Sequence, residues 1–520
     1  MVVGAGTMGA GIAFVAARAG YAVELIDPDA AARERAMERI AKDAQRAADP
    51  AILDRVTARE TVAPGSGAVL AIEAVPERIE LKRAVFAALE GALAPEALLA
   101  TNTSSLAVGE LAEGVERPER VLGLHFFNPP AAMKLVEIVA TEQTSDEALD
   151  RARAFVARIG KSGVTCADTP GFIVNRVARP FYLQSMRALE RGVATVEELD
   201  ALARSAGFRM GPFELMDFIG MDVNLATSES VYERLDEPER LAPRPMQREL
   251  VAQGNLGRKT GSGFYAYENG AYAKLDLAAE RPNGKLEEFA VVLGYGESAD
   301  ALAFALATVC TRVQRIENDD LIDALDPEAS IVIDTGDGFS DRGAIAAALD
   351  ARLDPSTVIF TDGYATDVAA LAKHCAHPER IVGYGVLGVL DEQSAIEIVD
   401  APGTGDDALA LAQELFEAIG KGVVLVEDLP GLYLGRTVCS IVNEAMIAVA
   451  DEVAAPDDVD LAMTLGVNHP RGPVTWGREI GGRRVARILQ RLADAEGAAF
   501  APHRSLWLLD EDEETLSSNR

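Results

Sequence analysis

Residues 1–29, MVVGAGTMGAGIAFVAARAGYAVELIDPD, decide the fold: a glycine-rich loop sits between an aliphatic stub and an apolar run with helical spacing, and a second aliphatic stretch, Val23–Ile26, ends in Asp27. Gly4, Gly6 and Gly9 give GxGxxG. Gly4 permits the tight turn, Gly6 lets backbone approach a pyrophosphate and Gly9 allows close helix–strand packing. Thr7 and Met8 complete the loop where the helix starts, and free N–H groups with the positive end of the helix dipole face the phosphates. Asp27 follows Gly9 by 18 residues, close to the spacing of the acid that hydrogen-bonds a ribose 2′-hydroxyl. Such an acid repels a 2′-phosphate, so the expected cofactor is NAD rather than NADP. Glycine-rich turns also occur in ordinary βαβ units; strand, helix, second strand and terminal acid in order favour the dinucleotide. Only Met1–Val3 precede Gly4, so either the first strand is short or the start codon has been placed late.

At 520 residues the chain is too long for one ordinary core, and 49% hydrophobic content excludes a disordered chain. No apolar run approaches the roughly 20 residues needed to cross a bilayer, and no cleavable leader opens the sequence, so a soluble, cytoplasmic protein without membrane partners is expected. A formal charge of −33 argues against nucleic acid. Cys166, Cys310, Cys375 and Cys439 are scattered without a CxxC pair, and HCAH (374–377) lacks a fourth ligand, so neither a disulfide framework nor a metal site is expected.

Beyond the loop come AIEAVPERIELK (71–82), TNTSSL (101–106), GLHFFNPPAAMKLVEIV (123–139) and DTPGFIVNR (168–176). Apolar stretches at Val121–Leu124 and Leu135–Val139 read as strands of the same sheet, which puts Ser104, His125 and Glu137 at strand ends or loops, where α/β sheets bind ligands. His125 is one of five histidines. A histidine in an apolar setting is more often a core residue, but oxidising an alcohol with NAD requires a base for the hydroxyl proton, and imidazole suits that near neutrality. A carboxylate on its other nitrogen fixes the tautomer and stabilises the imidazolium; Glu137 is the candidate, the alternative being a solvated strand-end acid.

GAGTMGAGIA, EAVPERIELK, TNTSSL, GLHFFNPPAAMKLVEIV, DTPGFIVNR, GPFELMDFIGMD and GRKTGSGFY, in this order over residues 1–267, resemble the L-3-hydroxyacyl-CoA dehydrogenase family. The resemblance implies oxidation of (S)-3-hydroxyacyl-CoA to 3-oxoacyl-CoA with NAD. By the same resemblance His125 falls on the catalytic base, Glu137 on the acid that orients it, and Ser104 and Asn175 on the polar residues that hold the substrate oxygen at C3. Asp27, Glu77, Lys82, Ser104, Asn128 and Lys259 match cofactor-contacting positions. The helical stretch after Asp27 corresponds to the arm that meets coenzyme A, where Lys42 and Arg46, one turn apart, face either phosphates or solvent; Asp43 stands at the family's serine position.

A shift of 260 pairs TNTSS with TDGYA, RPERVLGL with HPERIVGY and GKSGVTCADTPGF with GKGVVLVEDLPGL, without a gap from about Thr101 to Asp200. This is a duplication. Gly160, Lys161, Asp168, Pro170, Gly171 and Arg176 return as Gly420, Lys421, Asp428, Pro430, Gly431 and Arg436, residues of turns and helix starts. The chemistry is lost: Ser104 becomes Tyr364, His125 Gly385, Asn128 Gly388 and Asn175 Gly435, and only Glu137 persists, as Glu397. The second glycine loop, VVLGYGESA (291–299), brings Glu297 and an alanine to where pyrophosphate is met, and an acid there opposes binding.

The expected architecture is therefore an α/β Rossmann-type NAD-binding domain (1–167), an all-α domain (168–267), a linker (268–288) containing RPNGK, a degenerate Rossmann-like domain (289–427), a second helical domain (428–510) and an acidic tail (511–520). In the family such helical domains pair with a partner subunit's. The second one is expected to stand in as an internal pseudo-partner, alongside a possible homodimer. Long two-copy members resemble bacterial 3-hydroxybutyryl-CoA or 3-hydroxyadipyl-CoA dehydrogenases of fatty-acid or phenylacetate-type degradation. Two rival readings are a dehydrogenase of free L-hydroxy acids, similar to L-gulonate 3-dehydrogenases, and a non-catalytic assembly protein.

Overall fold

The computed structural model describes residues 1–277, 286–317, 323–336, 342–388 and 390–510. RPNGK (281–285) and the acidic tail lie outside the described residues. The first repeat contributes β1 (Val2–Val3), β2 (Val23–Ile26), β3 (Val56–Arg59), β4 (Leu70–Glu73), β5 (Leu98–Thr101), β6 (Val121–Phe126), β7 (Leu135–Ala140) and β8 (Ser162–Ala167). They form one sheet in the order β3-β2-β1-β4-β5-β6-β7-β8. All neighbours are parallel except β6 and β7. Helices cover both faces of such a sheet, so its central strands read as continuous apolar runs; all six residues of β6 are buried. The helix Thr7–Arg18 is rich in alanine and buries every residue from Gly9 to Ala17, as a helix packed on most of its circumference must.

The second repeat builds the same sheet again with seven strands, and among the described residues none takes the place of β3. Its strands are β9 (Leu286–Leu293), β10 (Cys310–Ile316), β11 (Ile331–Asp334), β12 (Val358–Asp362), β13 (Ile381–Gly385), β14 (Ala395–Asp400) and β15 (Gly422–Glu427), in the order β10-β9-β11-β12-β13-β14-β15. Again one pair, β13 and β14, is antiparallel. The 260-residue register holds residue for residue across these strand pairs: Gly123 faces Val139 and His125 faces Glu137 in the first, Gly383 faces Val399 and Gly385 faces Glu397 in the second. No helix among the described residues is long and apolar enough to cross a membrane.

Contacts divide the chain into two compact units that each draw on both repeats: Met1–Ala178, Ser230–Asp236 and Ile447–Gly472 form one, and Arg179–Glu229, Glu237–Met446 and the chain from Pro473 form the other. Inside the first unit, the second repeat's helix Pro456–Gly466 packs on β7 and β8. Gly466 permits this approach, because a Cβ there would stand 2.8 Å from Leu135. Inside the second unit, the first repeat's helix Val196–Ser205 packs on β14. The two helices are equivalent under the 260-residue shift, so each sheet is covered by the helix of the other repeat.

The second unit also answers what became of the orphaned acid. Glu397 is fully buried, accepts hydrogen bonds from the Tyr433 and Leu434 amides (2.6 and 3.0 Å) and takes a third from the Tyr364 hydroxyl at 3.0 Å. Tyr364 is itself fully buried, and its ring fills space that side chains at Gly385 and Gly435 would need: a Cβ at either would come within 2.8 or 2.5 Å of it. The serine-to-tyrosine, histidine-to-glycine and asparagine-to-glycine changes are thus one steric event. Burial pushes the Glu397 carboxyl up to about 7, against the lowering effect of its three donors. A carboxyl raised in the folded state stabilises fully below its unfolded value of 4.5 and loses that contribution as pH rises through about 7. Glu397→Gln is therefore expected to gain on the parent between pH 5 and pH 8 by roughly 1–3 kcal/mol. Paired denaturation curves at the two pH values measure this; an unchanged offset would mean the carboxyl is not proton-linked.

Candidate active site

The glycine loop of the first unit has the geometry that its spacing predicts. Gly4 has φ +105°, and a Cβ on it would lie 2.6 Å from the Ala74 carbonyl oxygen; one on Gly9 would lie 1.8 Å from the Gly4 oxygen. Gly6, by contrast, has open space beside it, and Thr7 is exposed with Met8 half-buried at the helix start. Asp27, at the end of β2, turns its carboxylate back to the loop, where it accepts from the Ala5 amide at 2.8 Å and the Asp29 amide at 2.9 Å. An open glycine, a helix N-terminus and a fixed acid together fit a dinucleotide.

At the other side of the sheet's carboxyl edge, His125 Nδ1 lies 2.6 Å from Glu137 Oε2. Antiparallel pairing puts the two residues directly across from each other, at 6% and 0% exposure, which excludes a solvated acid. Glu137 lies within β7 rather than at its end, because β7 enters the sheet from the opposite direction. Its second oxygen accepts from the Ile173 and Val174 amides, each at 3.0 Å. These amides belong to the turn opened by DTPG, so that motif fixes the carboxylate from behind. With the Nδ1 proton held by Glu137, the lone pair of the imidazole resides on Nε2, and the ring can accept a proton there. Phe127 and Phe172 wall the ring, with centroids 4.5 and 5.7 Å away.

Asn175, the residue after those amides, donates to the Ser104 carbonyl oxygen at 3.4 Å, so Ser104 and Asn175 are neighbours. Glu77 holds the serine loop: one of its oxygens accepts from the Ser104 amide at 3.0 Å, the Ser105 amide at 3.2 Å and the Thr103 hydroxyl. Burial works against its ionisation, but the Lys82 ammonium and the donors from Thr103, Lys82 and Ser104 hold the carboxyl below the usual range. Lys82 is fully buried and lies 3.1 Å from Glu77 and 2.9 Å from both oxygens of Glu73. Asn128 is exposed, at a cis bond to Pro129. Lys42 and Arg46 are exposed on the helix Ala30–Arg46, where Arg46 pairs with Asp43 at 3.2 Å. Lys259 belongs to the second unit, paired there with Asp222.

Three supporting residues escaped the sequence reading although their motifs had been singled out. Glu73 gathers Lys82, the Val75 amide and the Thr101 hydroxyl beneath the site. Asn102 accepts from the Phe126 amide at 2.8 Å, tying the serine loop to the histidine strand. Thr103 receives the Leu106 amide and donates to Glu77. The TNT of TNTSSL, three small polar residues in a row at the end of a buried strand, was the available signal.

The family model described as 3-hydroxyacyl-CoA dehydrogenase, NAD binding domain, matches residues 1–169 and again 287–429; the C-terminal domain of the same family matches 171–267 and 431–515. The 3-hydroxyadipyl-CoA dehydrogenase of Escherichia coli (strain K12) is 38% identical over 502 residues, 94% of this chain and 92% of that protein. The mitochondrial hydroxyacyl-coenzyme A dehydrogenase of Rattus norvegicus is 39% identical over 283 residues, covering 51% of this chain and 90% of its own. Among solved structures, 3-hydroxybutyryl-CoA dehydrogenase from Escherichia coli K12 superposes with a TM-score of 0.79 at 34% identity, over 98% of each chain. The chain belongs to the 3-hydroxyacyl-CoA dehydrogenase family, as an NAD-dependent oxidoreductase in which both family domains occur twice.

Proposed function

We propose that this chain oxidises a short-chain or dicarboxylic (S)-3-hydroxyacyl-CoA to the 3-oxoacyl-CoA at a single site in its first repeat. The carrying observation is the His125–Glu137 pair, with the carboxylate clamped by two amides. NAD, when bound, accepts the hydride released from C3. His125 Nε2 takes the hydroxyl proton, and Glu137 stabilises the imidazolium that results. Ser104 and Asn175, adjacent through the 3.4 Å contact, hold the C3 oxygen. Asp27 takes the ribose hydroxyls, the loop from Gly4 to Gly9 the pyrophosphate, and Glu77 and Asn128 the remaining cofactor contacts. Lys82, being buried, acts through Glu77. Lys259 is assigned to the cofactor, and Lys42 and Arg46 to coenzyme A, on the resemblance alone.

The acyl group is read from the relatives: the bacterial ones that span nearly the whole chain carry the names 3-hydroxyadipyl-CoA and 3-hydroxybutyryl-CoA dehydrogenase, which supports a place in phenylacetate-type or fatty-acid degradation. The second repeat is proposed as a non-catalytic internal partner. Tyr364 seals the position of the base, and Ala299 carries the Cβ for which Gly9 has no room.

Three measurements test the assignment. Following NADH oxidation with acetoacetyl-CoA, 3-oxoadipyl-CoA and long-chain 3-oxoacyl-CoA, and NAD reduction with free hydroxy acids, should show turnover of the thioesters and none of the free acids; preference for a free acid would replace the thioester reading. His125→Gln should lower kcat by about 10² to 10⁴ while NADH affinity, measured by fluorescence, stays within twofold of the parent; a mild loss of kcat removes the base assignment. Asp27→Asn removes a charge-assisted hydrogen bond and a source of 2′-phosphate repulsion. It should weaken NADH binding by about 10- to 100-fold and narrow its advantage over NADPH. Unchanged selectivity would move the ribose contact elsewhere.

A further inference from the structure

The interface between the repeats contains a charge asymmetry that the duplication alone does not require. In the first unit, buried Arg176 donates to Asp451 at 2.6 Å. The 260-residue shift turns this pair into Arg436 and position 191, which is an arginine. Arg436 is fully buried, and its guanidinium lies 2.7 Å from Glu496, which also takes Arg191 at 3.2 Å; Gln184 accepts from Arg436 at 3.0 Å. A single acid thus bridges two arginines in the second unit, whereas in the first unit Asp451, an acid of the other repeat, meets Arg176. When the turns at Gly220 and Gly481 are aligned, Glu496 corresponds to Leu235.

Local helix physics makes the acids harder to explain by chance. Arg191 follows the helix Arg179–Glu190, and a cation at a helix carboxyl end is favoured by the dipole. Asp451 follows the helix Tyr433–Ala450 and is itself followed by Glu452, so two acids stand at the end that disfavours them. A position that contradicts its own helix is being held by a partner, and Arg176 is that partner.

We infer that the second helical domain is a charge-selected hetero-partner of the first: Asp451 and Glu496 neutralise Arg176, Arg191 and Arg436, and two first-repeat domains facing each other would set Arg191 against Arg176 with leucine in place of the bridging acid. The repeats are therefore no longer interchangeable, and the first cannot replace the second by self-pairing. This rests on the proposal that the second repeat is an internal partner.

Thermal unfolding of full-length variants tests it. Asp451→Arg, which restores the first repeat's residue, should lower Tm by about 2–6 °C and fall below Asp451→Ala, because repulsion is added to lost attraction. Glu496→Leu should also lower Tm, and adding Arg191→Leu should recover part of that loss beyond the effect of Arg191→Leu alone. Equal melting of Asp451→Ala and Asp451→Arg, together with no recovery from Arg191→Leu, would show pairing without charge selection and overturn the inference. If every variant melts like the parent, the pairing of the repeats itself is wrong.

Discussion

A carboxylate with four lone-pair sites and no water must find donors for both oxygens, and Glu137 finds them in three places: the His125 ring and the amides of Ile173 and Val174. The rest of the site follows from satisfying that one group. The antiparallel reversal at β7 brings the acid opposite the histidine. The DTPG turn brings the amides, and the helix they open carries Asn175 to the serine loop. A buried, unpaired carboxylate costs several kcal/mol, so the segments that meet here are bound together by electrostatics as well as by packing.

In the second repeat the serine, histidine and asparagine are replaced but the acid stays. Glu397 keeps its two amides, now from Tyr433 and Leu434, and replaces the imidazole with a phenol. A tyrosine can reach from the serine loop only if the histidine and asparagine positions give up their side chains, and both are glycine. Lys161 and Lys421 make the complementary point. Lys161 Nζ lies 2.6 and 2.5 Å from the Pro130 and Met133 carbonyl oxygens; Lys421 makes the same clamp on Leu390 and Gln393 at 2.6 and 2.7 Å. The same lysine on the same two carbonyl positions in both repeats marks it as a residue that holds the loop.

The alternation of glycine loop, strands and helices was legible in the sequence because local signals of short range fix it: Gly4 and Gly9 are sterically forced, and β6 and β7 are apolar runs. The pairing of His125 with Glu137 was legible through the family motif and is explained by strand register. Glu73, Asn102 and the burial of Lys82 were not legible. Each depends on which segments meet across the carboxyl edge, and a lysine read one residue at a time looks like a surface charge. The exchange of helices between repeats was out of reach for the same reason: periodicity identifies an apolar face but not the sheet that will cover it.

That exchange also bears on why a long chain keeps a second half that lacks the histidine, serine and asparagine of the first. A helical domain that covers a neighbour's sheet leaves apolar surface bare when the neighbour is absent, and a homodimer supplies the cover only at sufficient concentration. Fusing the cover to the site makes the encounter intramolecular, with an effective concentration set by the linker instead of by expression level. Once the two are tethered, the cover no longer needs a base, a glycine loop or a ribose acid. Its residues are then free to specialise for the contact, as the acids at Asp451 and Glu496 have done. Loss of catalysis in one repeat and loss of self-complementarity between repeats are, on this view, successive consequences of the same covalent link.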